Sequence, residues 1–170
     1  MINADLQKAI NQQINQEITA AYNYLGMSAY FEDENLAGFA KWCLVQYQEE
    51  LEHALRLFHY LIDREGKIKL EPIGAPKSDY KSPVDVFKTA LAMEQKNTQS
   101  IDELYKRASA LSDHATISHL QWFVDEQVEE EKSVSEALAL VERAGSDASA
   151  LFYLNDKFGN RKSTDNESGD

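Results

Sequence analysis

Six polar residues stand at repeated spacings inside segments that are otherwise rich in apolar residues: Glu17, Glu50, His53, Glu94, Gln127 and Glu130. The first three follow one another at the same intervals as the last three. The chain therefore carries one constellation of polar side chains twice, in two consecutive segments.

The chemistry of this set is that of a metal site. Glu50 and His53 are three positions apart, so on a helix they share one face. Several carboxylates buried together repel one another unless cations lie between them. Carboxylate and imidazole ligands without thiolate suit iron or manganese better than structural zinc. Any one of these glutamates alone would be an ordinary solvated residue, but the repeat predicts a dinuclear site within a bundle of four helices.

Four long helices are needed to bring these residues to one level. Apolar residues recur at spacings of three and four along each predicted helix, as in Leu6, Ile10 and Tyr24 of the first. Gly66 is predicted to terminate the second helix as a C-cap glycine. The predicted helices span residues 4–31, 35–64, 83–111 and 113–144.

The connections predict the topology. Residues 66–82 contain two glycines and two prolines, and this segment is long enough to run the length of a helix. The prediction is an all-α four-helix bundle with one long crossover between helices two and three. A short fifth helix is predicted within residues 146–158, after the bundle of residues 1–145. Residues 159–170 have no apolar anchor and are predicted to form a disordered tail.

Composition narrows the functional classes. The chain has 170 residues, 43% of them hydrophobic, and a net charge of −12, which disfavours nucleic acid as a partner. No apolar run is long enough for a membrane span, and the N-terminal residues do not resemble a signal peptide. Cys43 is the lone cysteine, which favours a reducing compartment. A cytoplasmic location is therefore predicted.

The sequence resembles the bacterial non-haem ferritins over about residues 1–160. The resemblance is carried by NQEITAAYNYLGMSAY, QEELEHALRLFHYL, AMEQ and QWFVDEQVEEEK, one segment in each long helix. It implies a ferroxidase centre inside the bundle. One iron position maps onto Glu17, Glu50 and His53. The other maps onto Glu94 and Glu130, with Glu50 as the bridging ligand and Gln127 nearby.

Further residues take their roles from the same resemblance. A third iron site maps onto Glu49, Glu126, Glu129 and Glu130, although a solvated acidic patch would have the same composition. Tyr24 resembles the family's tyrosine that supplies an electron to oxygen intermediates. Tyr24 and Trp122 can equally be core aromatics. His59, His114 and His119 are interpreted as surface or loop residues.

The implied function is oxidation of Fe(II) by O2 or H2O2, followed by storage of Fe(III) as a mineral in a hollow 24-subunit cage. The fifth helix is expected around the fourfold axes of that cage. Gln127 and Leu51 stand where a haem-binding bacterioferritin would carry a glutamate and a methionine, so iron without haem is expected. Two alternatives stay open: a rubrerythrin-like di-iron oxidase or peroxidase without storage, and a metal-free structural bundle.

Overall fold

The computed structural model describes residues 2–161. Within that range the regular structure is helical throughout, and the helices are α1 (Ala4–Asp33), α2 (Ala37–Asp63), α3 (Pro83–Ala110), α4 (His114–Ala144) and α5 (Ala148–Gly159). The all-α prediction is confirmed. Residues 162–170, most of the predicted disordered tail, lie outside the described range.

Polar side chains cap the starts of α1, α3, α4 and α5, whereas Leu36 at the start of α2 makes no side-chain cap. The side chain of Asn3 accepts a hydrogen bond from the backbone N–H of Asp5 at 2.8 Å. Ser82 does the same for Asp85 at 3.2 Å, with Pro83 in the first turn of α3. Asp113 and Asp147 cap α4 and α5. These contacts satisfy N–H groups that a helix cannot pair internally, so each of these capped starts is locally specified.

The end of α2 differs from the prediction. The residue in the left-handed conformation is Glu65, with φ 58°, and not Gly66. The N–H groups of Glu65 and Gly66 bond to the carbonyls of Ile62 and Leu61, which is the pairing of a Schellman motif. A Cβ atom at position 66 would lie 2.3 Å from Leu61 Cδ1. Glycine is therefore favoured at position 66 because a side chain there would clash with Leu61, and not because the backbone has a positive φ.

The long crossover follows α1. Three side-chain amides spaced four residues apart on α1 accept hydrogen bonds from backbone N–H groups of the crossover: Gln7 from Lys67, Asn11 from Lys69 and Asn15 from Glu71, at 2.8, 2.6 and 2.9 Å. Because this segment has no regular structure, the amides supply partners for its backbone N–H groups. The predicted connection between two helical hairpins, α1–α2 and α3–α4, is confirmed.

The core has two apolar parts with a polar layer between them. One part surrounds Phe31, Phe39 and Phe87, and the other surrounds Leu6 and Leu57. The repeated polar residues belong to neither part. Within the described residues, no helix combines the length and apolar character needed to traverse a membrane.

Helix α5 packs on its own bundle. Phe158 lies 5.0 Å from Phe39 between ring centroids, and the side-chain oxygen of Asn155 accepts from the backbone N–H of Gly38 at 2.8 Å. Phe152 and Tyr153 remain 76% and 69% exposed. The buried face of α5 is thus used within the chain, which leaves Phe152 and Tyr153 as the face for the expected contacts between subunits.

Close approach of α5 to α2 depends on Gly38. A Cβ atom there would lie 1.7 Å from the carbonyl oxygen of Asn155. We expect Gly38→Ala to displace α5 and lower the free energy of unfolding by about 1–3 kcal/mol, as overpacking does. The control is Gly74→Ala, because a Cβ at position 74 meets no atom within 4 Å. Urea unfolding of both variants measures the difference, and equal midpoints would contradict the prediction.

Candidate metal centre

The structure gathers the repeated residues in the polar layer of the bundle. Each is no more than 3% exposed: Glu17, Glu50, His53, Glu94, Gln127 and Glu130. They come from all four long helices, because each helix places its polar position on the face that the neighbouring apolar residues bury. The predicted juxtaposition of two hairpins at one level is therefore present.

Two groups of potential ligands lie around His53. Ligand atoms of Glu17, Glu50 and His53 all lie within 4.8 Å of one another, and so do those of His53, Glu126 and Glu130. His53 Nδ1 is 3.8 Å from Glu50 Oε2, and its Nε2 is 4.0 Å from Glu126 Oε1. The first group matches one predicted iron position, whereas the second pairs Glu130 with Glu126 instead of Glu94.

Glu94 lies outside both groups and contacts Tyr24. The Tyr24 hydroxyl donates to Glu94 Oε1 at 2.5 Å. Burial, followed by repulsion from Glu94, Glu130 and Glu50, raises the pKa of Tyr24 well above its ordinary value. Tyr24 is therefore a core aromatic residue whose hydroxyl reaches the carboxylate cluster.

Side-chain amides orient Glu17. Gln13 donates to Glu17 Oε1 at 2.7 Å, and Asn97 donates to Glu17 Oε2 at 2.9 Å. Asn97 also accepts from Gln13 at 2.6 Å and from Gln16 at 3.1 Å. Sequence reasoning missed Asn97, although its position one turn after Glu94 places it on the same helical face.

We expect Asn97→Ala to destabilise the protein. The change leaves buried amides of Gln13 and Gln127 without a partner that they have in the parent. The loss should be about 1–3 kcal/mol, the usual penalty for stranding a buried polar group. Gln95→Ala, an exposed amide on the same helix, is the control. A urea midpoint for Asn97→Ala equal to that of the control would disprove the structural role.

Glu50 and Glu94 have the opposite character from Glu17. Three of their carboxylate oxygens have no hydrogen-bond partner within the described residues: both oxygens of Glu50, and Oε2 of Glu94. Burial is the main cause that raises the pKa of Glu50 well above its ordinary value, and Glu94, Glu17 and Glu130 add repulsion. Burial likewise raises the pKa of Glu94 to about 7 and that of Glu130 to about 8. These are oxygens that a bound cation would satisfy, so the site fits iron.

A cavity of 180 Å³ adjoins the cluster. Its lining includes the four glutamates of the predicted third iron site, together with Ser133 and Arg161: Glu49, Glu126, Glu129 and Glu130. Glu49 is 4% exposed and accepts from Arg161 at 3.0 Å. The structure thus brings these glutamates to one cavity. It also places there the positively charged side chain of Arg161, which the sequence did not suggest.

A second cavity, of 200 Å³, is lined by His53 and shares Glu49, Glu126 and Glu129 with the first. Trp122 lines it, 5.3 Å from the His53 ring, and the Arg56 guanidinium lies 4.1 Å above the indole. Trp122 is only partly buried. It packs against the apolar part of the core around Leu6 and Leu57, as expected of a core aromatic residue, but it also lines this cavity.

The interpretation of His119 as a surface or loop residue is wrong. Its ring stacks on Tyr60 with 3.9 Å between centroids, and burial lowers the pKa of His119 to about 4. It lies outside both ligand groups. His59 and His114 are exposed residues, as predicted.

Comparisons with known proteins agree with this geometry. The family model of the ferritin-like domain matches residues 7–144. The bacterial non-heme ferritin of Staphylococcus haemolyticus is 40% identical over 92% of this chain and 94% of its own length. The Staphylococcus aureus protein of the same name is 37% identical over 95% and 97%.

Solved structures give the same result. The Archaeoglobus fulgidus ferritin engineered into a closed form has a TM-score of 0.94 at 40% identity, with 96% of this chain and 100% of that chain covered. A humanized archaeal ferritin has a TM-score of 0.95 at 40% identity, with 96% and 99% covered.

The chain therefore belongs to the ferritin-like family. Within that family, the two Staphylococcus relatives are bacterial non-haem ferritins, so the resemblance inferred from the four sequence segments is confirmed. Membership supports iron storage as the general function, and the carboxylate and histidine cluster is compatible with a di-iron site.

Proposed function

We propose that this protein oxidises Fe(II) with O2 or H2O2 at a ferroxidase centre within each bundle and stores the Fe(III) product as a mineral. The observation that carries the proposal is the set of partnerless, fully buried oxygens on Glu50 and Glu94 in a ferritin-like bundle. Such oxygens are costly in a metal-free core and become useful when a cation is bound.

Each residue has a proposed task. Glu17 and His53 hold one Fe(II), Glu94 and Glu130 hold the second, Glu50 bridges the two, and Gln127 lies beside them: this is the assignment that the family resemblance gives. The amides of Gln13 and Asn97 keep the Glu17 carboxylate in position. Hard carboxylate oxygens stabilise Fe(III) more than Fe(II), which favours oxidation, and few nitrogen ligands keep the product exchangeable.

Protons must leave the site as iron binds. The raised pKa values of Glu94 and Glu130, about 7 and about 8, mean that near neutral pH the metal-free protein carries a proton on most Glu130 carboxyls and on about half of the Glu94 carboxyls. Binding of Fe(II) requires the carboxylate forms, so uptake is coupled to proton release. Each Fe(II) supplies one electron to the oxidant. The resemblance assigns Tyr24 the supply of a further electron, and its hydrogen bond to Glu94 supports that assignment.

The remaining parts of the proposal concern assembly and location. We propose a homo-oligomeric cage of 24 copies in the cytoplasm, containing iron and no haem, with Phe152 and Tyr153 of α5 at contacts between subunits. Glu49, Glu126, Glu129 and Glu130 form the third iron site on the path from the centre to the stored mineral. Their shared cavity supports this assignment.

Iron titration combined with size measurement tests the function. We expect metal-free protein given Fe(II) in air to retain thousands of irons per large particle. A fixed two irons per subunit would favour the rubrerythrin-like oxidase or peroxidase instead. Failure to bind any iron would leave a structural bundle. Particle size is measured by light scattering and retained iron by elemental analysis of the same fractions.

A further inference from the structure

Arg161 follows α5 and reaches the cavity of the four glutamates. Its Nη2 donates to Glu49 Oε2 at 3.0 Å, and its guanidinium lies 4.8 Å from the centre of the Trp42 ring. The side chain of Arg161 is 19% exposed and that of Glu49 is 5% exposed. This is a largely buried, charge-assisted contact, which is stronger than an ion pair on the surface.

The same guanidinium acts on a second glutamate through Gln46. Arg161 Nη1 donates to Gln46 Oε1, so the amide nitrogen of Gln46 is turned away from it. That nitrogen donates to Glu130 Oε2 at 2.7 Å. Gln46 is fully buried, and one cation therefore fixes Glu49 directly and Glu130 through one amide.

The fold brings Arg161 to this position through α5. Phe158 packs among Phe39, Trp42 and Phe87, and the Lys41 ammonium donates to the Gly159 carbonyl at 2.7 Å. The backbone N–H of Arg161 bonds to the Phe158 carbonyl at 3.2 Å. The residue that enters the cavity is thus anchored by an element outside the four-helix bundle.

We propose that Arg161 is a resident counter-cation of the third metal site. It occupies Glu49 while that site lacks a metal, and a metal cation entering the cavity has to displace it. A guanidinium and a divalent cation in the same cavity repel each other, and both compete for the Glu49 carboxylate. Arg161 therefore weakens the third site, where it contacts a ligand directly, more than the dinuclear centre, which it reaches only through Gln46, and it makes the occupancy of the third site depend on α5. The inference rests on the proposed function, because it takes the third site as part of the iron path.

Zinc binding by the metal-free, full-length protein tests this role without any oxidation. The variants are Arg161→Gln, which removes the charge, and Arg161→Lys, which keeps it. Lys157→Gln is the matched control, because it makes the same change in net charge at an exposed position on α5. Isothermal titration with Zn(II) resolves the equivalents bound per subunit, and circular dichroism verifies that each variant is folded.

In Arg161→Gln we expect the third equivalent of Zn(II) to bind about tenfold more tightly or better, the fold-change that corresponds to one charge-assisted hydrogen bond. The first two equivalents should remain bound and change less in affinity than the third, because Arg161 reaches the dinuclear centre only through Gln46 and Glu130. Arg161→Lys should bind like the parent.

A third-site affinity in Arg161→Gln equal to that of the parent would overturn the proposal. An equal gain in Arg161→Gln and Lys157→Gln would also overturn it, because that gain would be a general effect of net charge. If the first two equivalents are retained in either case, the proposed function stands. Absence of those two equivalents from the parent would instead refute the proposed function itself, and this inference with it.

Discussion

Glu50→Ala is expected to abolish the fast phase of Fe(II) oxidation while the bundle still folds. Glu50 is fully buried, its oxygens have no hydrogen-bond partner among the described residues, and it is the proposed bridge between both irons. Loss of a residue that only supports a metal ligand costs roughly 10–100-fold. Loss of the bridge should therefore slow the initial rate by more than about 100-fold.

Stopped-flow absorbance after mixing metal-free protein with Fe(II) in air measures this rate. Glu103→Ala is the control, since Glu103 is an exposed glutamate on α3 that pairs with the solvent-exposed Lys106. Removing one of several mutually repelling carboxylates should also raise the stability of the metal-free Glu50→Ala protein. A fast phase equal to that of the control would exclude Glu50 as the bridge.

The metal-free protein should lose stability as pH rises from 6.5 to 8. An unfolded glutamate has its ordinary pKa near 4.5, whereas folding raises the pKa of Glu94 to about 7 and that of Glu130 to about 8. Through this window the folded protein retains protons that the unfolded chain has lost. Each retained proton reduces the free energy of unfolding by about 1.4 kcal/mol per pH unit, so these two carboxyls together account for a loss of about 2 kcal/mol. The raised pKa of Glu50 acts in the same direction.

The lower limit of the window is set by His119. Burial lowers the pKa of His119 from 6.5 to about 4, so below pH 6.5 the unfolded chain binds the additional proton and stability falls as pH falls. The two effects have opposite signs, and the histidine effect fades above pH 6.5 as the unfolded imidazole loses its proton, so the carboxyl effect dominates up to pH 8.

Urea unfolding in the presence of a chelator measures the pH dependence. Glu94→Gln should have a shallower dependence, because it removes one titrating carboxyl and its repulsion of Glu130 and Glu50. Glu103→Gln should behave like the parent. Stability that is constant or rising between pH 6.5 and 8 would contradict the assignment of protons to the buried cluster.

Periodicity was sufficient to predict the helices and the position of the polar layer. Spacings of three and four residues place Glu17, Glu50 and Glu94 on buried faces whatever the details of packing, because helix geometry is fixed. The crossover was predictable from its length and its prolines. These features depend on local sequence, and the structure agrees with them.

Contacts set by the packing of separate elements were not predictable. Gln46 and Tyr47 are adjacent on α2, and an amide next to an aromatic residue gives no local sign of burial, yet packing buries Gln46 fully and leaves Tyr47 partly exposed. Arg161 belongs to a segment predicted to be a disordered tail, since a polar residue without apolar neighbours gives no local signal. Its position follows from the angle at which α5 returns to α2, which no spacing encodes.

The polar layer between the two apolar parts of the core has a consequence for how the hairpins align during folding. If α3–α4 slid by one turn along α1–α2, Glu94 and Glu130 would face buried apolar side chains of the other hairpin, such as Ile14 on α1 or Ala54 on α2. Each buried carboxylate without a partner costs several kcal/mol, so the slipped register is strongly disfavoured. Apolar side chains alone would tolerate such a slip more readily, because one leucine or phenylalanine can replace another across a helical interface. The carboxylates that destabilise the metal-free protein thus also specify the register in which the two hairpins pack, before any iron is bound.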